Sequence, residues 1–176
     1  QRLKESGFQW FSSNVSDANG QAFRLDAHRR VPPNIVFTVR DNSNNQVRIG
    51  LFGLTLDSNQ APYVRYADPL AAAEEQVKDL RDRVDILIAV THQSMEDDVK
   101  LAGEVRGIDL ILGGHEHEHM QARHGPDSTP IFKADANALS VYVHDLAYNT
   151  ATSRLQIHSR LQKITAEMRR DAAVDS

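Results

Sequence analysis

Val84 to Val90 (VDILIAV) is a nearly continuous apolar run, and it constrains the fold more than any other segment. A run this short falls well below the roughly 18 residues of a membrane span, and its composition is that of a strand buried on both faces. Helical signals flank it. Asp68-Pro69 supplies an N-cap acceptor followed by proline at the first helical position, and Leu70, Ala73, Val77 and Leu80 then recur at helical spacing. Downstream, Ser94 with Asp97 makes a capping-box-like start, and Met95, Val99, Ala102 and Val105 share one helical face. Gly107 closes that helix, and Ile108 to Leu112 (IDLIL) is a second buried strand. With a strand over Val47 to Thr55, the order is strand, helix, strand, helix, strand, which predicts a parallel sheet with right-handed crossovers.

The flanks read differently. The first 34 residues are polar and turn-rich, with a short strand expected around Trp10 to Val15. Ile35 to Val39 precedes the turn cluster Asp41 to Asn45, so it pairs with Val47 to Thr55 as a hairpin. After residue 125, Leu139, Val141 and Val143 alternate, as do Leu155, Ile157 and Leu161, with Asn149-Thr150 between them. These are antiparallel strands completing one domain over residues 1–165, followed by a polar tail, 166–176, expected to be helical or frayed.

Composition removes several function classes. The 176 residues carry a net charge of −4, which argues against a nucleic-acid surface built on bulk positive charge. There is no cysteine, so disulfides and thiolate metal sites are excluded. No membrane span and no signal-peptide pattern is visible. The chain starts at Gln1 rather than Met, which reads as a processed or truncated product.

The chemistry sits at two strand ends. Val84 to Val90 runs into Thr91-His92, and Ile108 to Leu112 runs into Gly113-Gly114-His115-Glu116-His117-Glu118-His119. Parallel sheets place ligand sites outside the carboxyl ends of their strands, so neighbouring strands bring His92 and His115 together. Histidines alternating on an extended segment point the same way, which lets His115 and His117 face one pocket. Neutral imidazole suits zinc, manganese, iron and related ions. Against this stands the reading of surface histidines in a polar loop, which three histidines at adjoining strand ends make the weaker one.

VDILIAVTH followed by GIDLILGGHEH resembles the calcineurin-like metallophosphoesterases, in particular their 5'-nucleotidase-like branch. Gly-His-x-His with the upstream Thr-His carries the likeness, which extends over roughly residues 8 to 160 through Phe8 to Val15, Gly50 to Thr55, Asp68-Pro69 and Pro130 to Ala138. The resemblance implies an α/β fold: a β-sandwich flanked by helices (four layers, α/β/β/α) with a mixed sheet, here incomplete. It implies metal-dependent hydrolysis of phosphate esters, of nucleotides or similar small molecules, at a two-metal centre of the Zn, Mn, Fe, Co or Ca class. It assigns His92 and His115 to one metal and His117 to the other. It also implies a periplasmic or secreted location, while the charge and the lack of a long apolar run argue against a nucleic-acid or membrane partner.

The departure matters equally. The family's Asp-x-His, Gly-Asp-x-x-Asp and Gly-Asn-His-Glu/Asp motifs do not occur, so no catalytic residue is visible, and Asn14 matches a later "Asn-Val" rather than the ligand asparagine. Two divalent ions repel strongly unless a carboxylate bridges them, and three neutral histidines lack that charge. The expectation is that this chain alone holds one ion through three histidines, and that the full centre needs an N-terminal segment of the same protein. Two other readings stay open: a catalytically incomplete metal-binding fragment, and a mononuclear zinc hydrolase using His92, His115 and His117.

Lesser candidates stand beside these. His119 continues the alternation, Glu116 and Glu118 are placed to orient the imidazoles, and Asn137 falls where the family approaches its substrate pocket. Asp57 follows a strand end and is a stand-in carboxylate at best. His28 and His124 read as loop surface, while His144 and His158 read as cross-strand packing.

Overall fold

The computed structural model describes residues 2–58 and 60–168. In chain order the elements are α1 (Arg2–Glu5), β1 (Val15–Asp17), β2 (Asn34–Arg40), β3 (Gln46–Thr55), β4 (Val64–Tyr66), α2 (Pro69–Leu80), β5 (Ile86–His92), α3 (Met95–Glu104), β6 (Leu110–Gly113), β7 (Met120–His124), β8 (Thr129–Lys133), β9 (Ser140–Asn149) and β10 (Arg154–Lys163). Six strands form one sheet in the order β2-β3-β5-β6-β8-β7. The four central strands β3, β5, β6 and β8 pair in parallel, and β2 and β7 are antiparallel at the edges. The fold is α/β, with the parallel centre that the strand and helix alternation predicts and the mixed sheet that the resemblance implies.

Both faces of the sheet are covered, which is why β5 is apolar at nearly every position. Leu87 and Ala89 join Phe52, Leu54, Ile111 and Ile131 beneath α2 and α3, where Ala73, Leu80 and Leu101 are fully buried. Ile86, Ile88 and Leu110 face the other way, against Leu146, Tyr148, Leu155 and Ile157 of the β9–β10 hairpin. Each large side chain removed from water in this way contributes about 1.5–3 kcal/mol. Among the described residues these are three layers, helices, sheet and hairpin, and none of their helices is long and apolar enough to cross a membrane.

The helix starts follow the sequence signals. The Asp68 carboxylate accepts from Ala71 N at 2.8 Å, and Ser94 Oγ accepts from Asp97 N at 3.0 Å. The expected strand over residues 10–15 is instead a short one at Val15–Asp17, because the preceding polar side chains are committed to β3. Ser13 Oγ accepts from Gly53 N at 3.0 Å, and buried Asn14 bonds both backbone groups of Thr55 and the carbonyl of Ala67. Asn14 therefore staples β3 to the β4–α2 connection, a structural task. Strands β7 and β8 were not expected; the turn between them has Gly125 at φ +78°, packed so closely on α3 that a Cβ there would lie 1.9 Å from Ala102 O. Of the polar tail, residues 165–168 form a turn and bend, and 169–176 lie outside the described residues.

His144 sits where the hairpin meets the sheet. Its ring lies 5.0 Å from Phe132 and 5.8 Å from Tyr142, and its Nδ1 is 2.7 Å from Ser159 Oγ on the partner strand. Desolvation lowers its pKa, because the packed site disfavours the charged imidazolium. The neutral form is thus the folded form. This contribution is intact above the unfolded value of about 6.5 and is lost as pH falls below it toward the lowered folded value. Wild-type Tm should therefore fall more steeply between pH 7 and pH 5 than that of His144→Gln; equal slopes would remove His144 as a cause.

Candidate functional site

Parallel pairing puts the carboxyl ends of the four central strands at one edge of the sheet. The register sets Thr55 beside His92, Thr91 beside Gly113, and Gly113 beside Lys133. His92 is the last residue of β5, and His115 follows Gly113-Gly114 at the end of β6. Gly114 N donates to Thr91 O at 3.0 Å, drawing the two loops together, and a Cβ on Gly114 would meet His92 Nδ1 at 3.4 Å. The two imidazoles then stand edge to face, with ring centroids 5.4 Å apart and both residues exposed.

The histidine segment is not extended, which corrects the alternation argument. Residues 115–118 form a chain of bends, with His115 at φ 93° and His117 at φ 63°. His115 and His117 are therefore not aligned by strand geometry. The His117 carbonyl accepts from Ala136 N at 3.2 Å, in the loop after β8. Asn137 is exposed in that loop at φ 55°. Among the described residues, positive φ at non-glycine positions otherwise falls at Ala138, in the same loop, and at Asn44, Ser128 and Ser153, which lie in strand-to-strand turns. Such conformations cost about 1–3 kcal/mol each and collect at functional sites.

The lesser candidates divide. His119 is drawn to the β8 loop, its backbone N–H donating to Asp135 Oδ1 at 3.0 Å and its Nδ1 lying 3.3 Å from the same oxygen. Asp135 is held below the usual carboxylate range by the Ser140 hydroxyl first, with burial opposing it next and His119 adding smaller lowering effects. Glu116 turns inward, accepting from Met95 N at the start of α3, with its Oε1 4.0 Å from Lys133 Nζ. It ties the loop to the helix. Asp57 accepts from Gln60 Nε2 and lines a cleft of about 340 Å³ with Tyr66, Asp68, Gln93, Asp97 and Lys100, so it does not join the histidine pair.

Sequence reasoning missed the charged pair under the site. Lys133, at the end of β8, and Asp98, in the first turn of α3, are both fully buried, with Nζ to Oδ2 at 2.9 Å. Burial pushes the Asp98 carboxyl above its ordinary value, while Lys133, Thr91 and Gln93 pull it back part of the way. Asp98 lies three residues after Met95 and four before Ala102, on the buried face of the helix, and that position was the available signal.

The donor set fits part of a metal centre. Two close imidazoles suit a single divalent ion. Among the described residues, no group of three or more His, Cys, Asp or Glu is placed to hold one, and no carboxylate joins the pair to offset a second ion.

Comparison with solved structures defines the class of fold. The chain matches the Thermus thermophilus sulfate thiohydrolase SoxB with TM-score 0.69 and 19% identity, over 89% of this chain and 28% of that one. It matches the Haemophilus influenzae NAD nucleotidase NadN with TM-score 0.68 and 18% identity, over 95% of this chain and 34% of that one. The chain accordingly shares its fold with a part of each of these two proteins. No protein-family profile matches. Sequence relatives supply the closer identification. The chain is 35% identical over 77 residues to the trifunctional nucleotide phosphoesterase protein YfkN of Bacillus subtilis, covering 40% of this chain and 5% of that protein. It is 27% identical over 132 residues to a 5'-nucleotidase of Diplobatis ommata, covering 72% of this chain and 22% of that protein. The chain is thus similar in sequence to nucleotide phosphoesterases and 5'-nucleotidases, and it spans less than a quarter of the length of either relative.

The strained backbone at His115 yields a test. Glycine adopts φ 93° without a Cβ penalty, so His115→Gly should leave stability unchanged or raise it by up to about 1 kcal/mol in urea unfolding. A marked loss would mean that the imidazole holds the fold rather than serving the site.

Proposed function

We propose that this chain carries the histidine part of the metal centre of a hydrolase that cleaves phosphate esters, of nucleotides or similar small molecules. One observation carries the reading: two exposed imidazoles, His92 and His115, stand 5.4 Å apart at adjoining strand ends, in a chain homologous to nucleotide phosphoesterases. His92 and His115 would hold one divalent ion, and His117 would contribute to a second. The ions would supply charge stabilisation on phosphorus and an activated water. The imidazoles act as neutral donors and carry no proton in the reaction. The catalytic unit is residues 1–165, and the bridging carboxylate comes from outside this sequence. A periplasmic or secreted location is part of this reading and rests on the resemblance.

The donor arrangement favours this over a mononuclear three-histidine hydrolase, because no third donor joins the pair among the described residues. The test uses the protein as its gene encodes it. Phosphate release from a nucleoside 5'-monophosphate should require Mn²⁺ or Zn²⁺, and His92→Ala or His115→Ala should each lower kcat/KM at least about 100-fold. Turnover that survives chelation and both substitutions would defeat the proposal.

A further inference from the structure

Lys133 is a buried cation whose partners are unusually placed. Besides Asp98 Oδ2 at 2.9 Å, its Nζ donates to the carbonyl of Gln93 at 2.6 Å and to that of Gly114 at 2.9 Å. Two of the ammonium's three donors go to these carbonyls, and the Asp98 carboxylate faces it as the ion-pair partner. Gln93 directly follows His92, and Gly114 directly precedes His115. One side chain thus grips the backbone one residue from each imidazole, from a third strand. We propose that Lys133, held by Asp98, is the positioning residue that sets the His92–His115 geometry.

Two further observations fit this better than a pair kept for stability alone. Buried ion pairs are commonly replaceable by apolar groups without loss of stability, so stability alone does not account for this one. The glycine beside the pair is shaped to admit it: a Cβ on Gly113 would lie 2.7 Å from Asp98 Oδ2 and 3.0 Å from Lys133 Cε. Glu116, 4.0 Å from the same ammonium, continues the network to the start of α3. The geometric claim stands by itself; its consequence for metal binding rests on the ligand reading given above.

The test compares wild type with the double variant Lys133→Met/Asp98→Asn, which removes both charges together. Circular dichroism and Tm report folding. The nuclear Overhauser contact between the His92 and His115 rings should be present in wild type and lost, or weakened several-fold, in the folded variant. The Kd for Co²⁺ should rise about 10–100-fold, the usual effect of removing support behind a ligand. A folded variant that keeps both the ring contact and the Co²⁺ affinity would overturn the proposal. If wild type shows the ring contact but binds no Co²⁺, the ligand reading fails, and the ring contact alone decides the positioning claim. Should the double variant not fold, Gly113→Ala displaces the pair with both charges kept, and a folded form with an unchanged ring contact overturns the proposal equally.

Discussion

Parallel pairing of β5 with β6 is the constraint from which the site follows. Both strands are buried on two faces, so neither can shift register without exposing apolar side chains to the wrong layer. Their shared direction forces both carboxyl ends to one edge, where the chain leaves the core and becomes exposed within a residue or two. Histidines placed just past those ends must meet. The opposite edge is organised for stability instead: Arg81 ion-pairs with Asp109 at 2.7 Å, and Asp109 accepts from Leu87 N at 2.7 Å, joining the end of α2 to the starts of β5 and β6.

The histidine edge carries features that stability alone does not require. Left-handed residues cluster in the loops after β6 and β8, and a buried lysine and aspartate lie beneath them. Removing one partner of such a pair costs about 3–5 kcal/mol, because the other is left charged and unpaired. Such a pair is therefore costly to break once built. Its cation is spent on backbone carbonyls and a carboxylate, so it offers no charge to a bound phosphate. With a net charge of −4, the chain has no bulk positive field to attract one either.

Much of this was legible in the sequence, and the exceptions have physical causes. Apolar runs and cap residues located β3, α2, β5, α3 and β6, because burial on both faces and the needs of helix termini are written in residue type. Two-residue alternation likewise located β9 and β10. Strands β7 and β8 were not legible: Met120 to His124 is an edge strand whose exposed residues carry little pattern, and Pro130 interrupts the next. The meeting of His92 with His115 followed from topology. The path of His117 did not, because positive φ at His115 and His117 breaks the alternation that the spacing suggested. Lys133 was invisible since its role depends on contacts with Gln93, Asp98 and Gly114, all 19 or more residues away in sequence.

The sequence relatives are named as nucleotide phosphoesterases and 5'-nucleotidases, while the described residues present two close imidazoles and no supporting carboxylate. The central claim is that His92 and His115 act as one ligand pair. It is tested most directly by following the ¹⁵N resonances of the imidazole rings during a Zn²⁺ titration. The account predicts that the His92 and His115 rings show coordination shifts together, at the same stoichiometry. If either ring stays unchanged at saturating Zn²⁺, or the two respond to separate binding events, the account is contradicted.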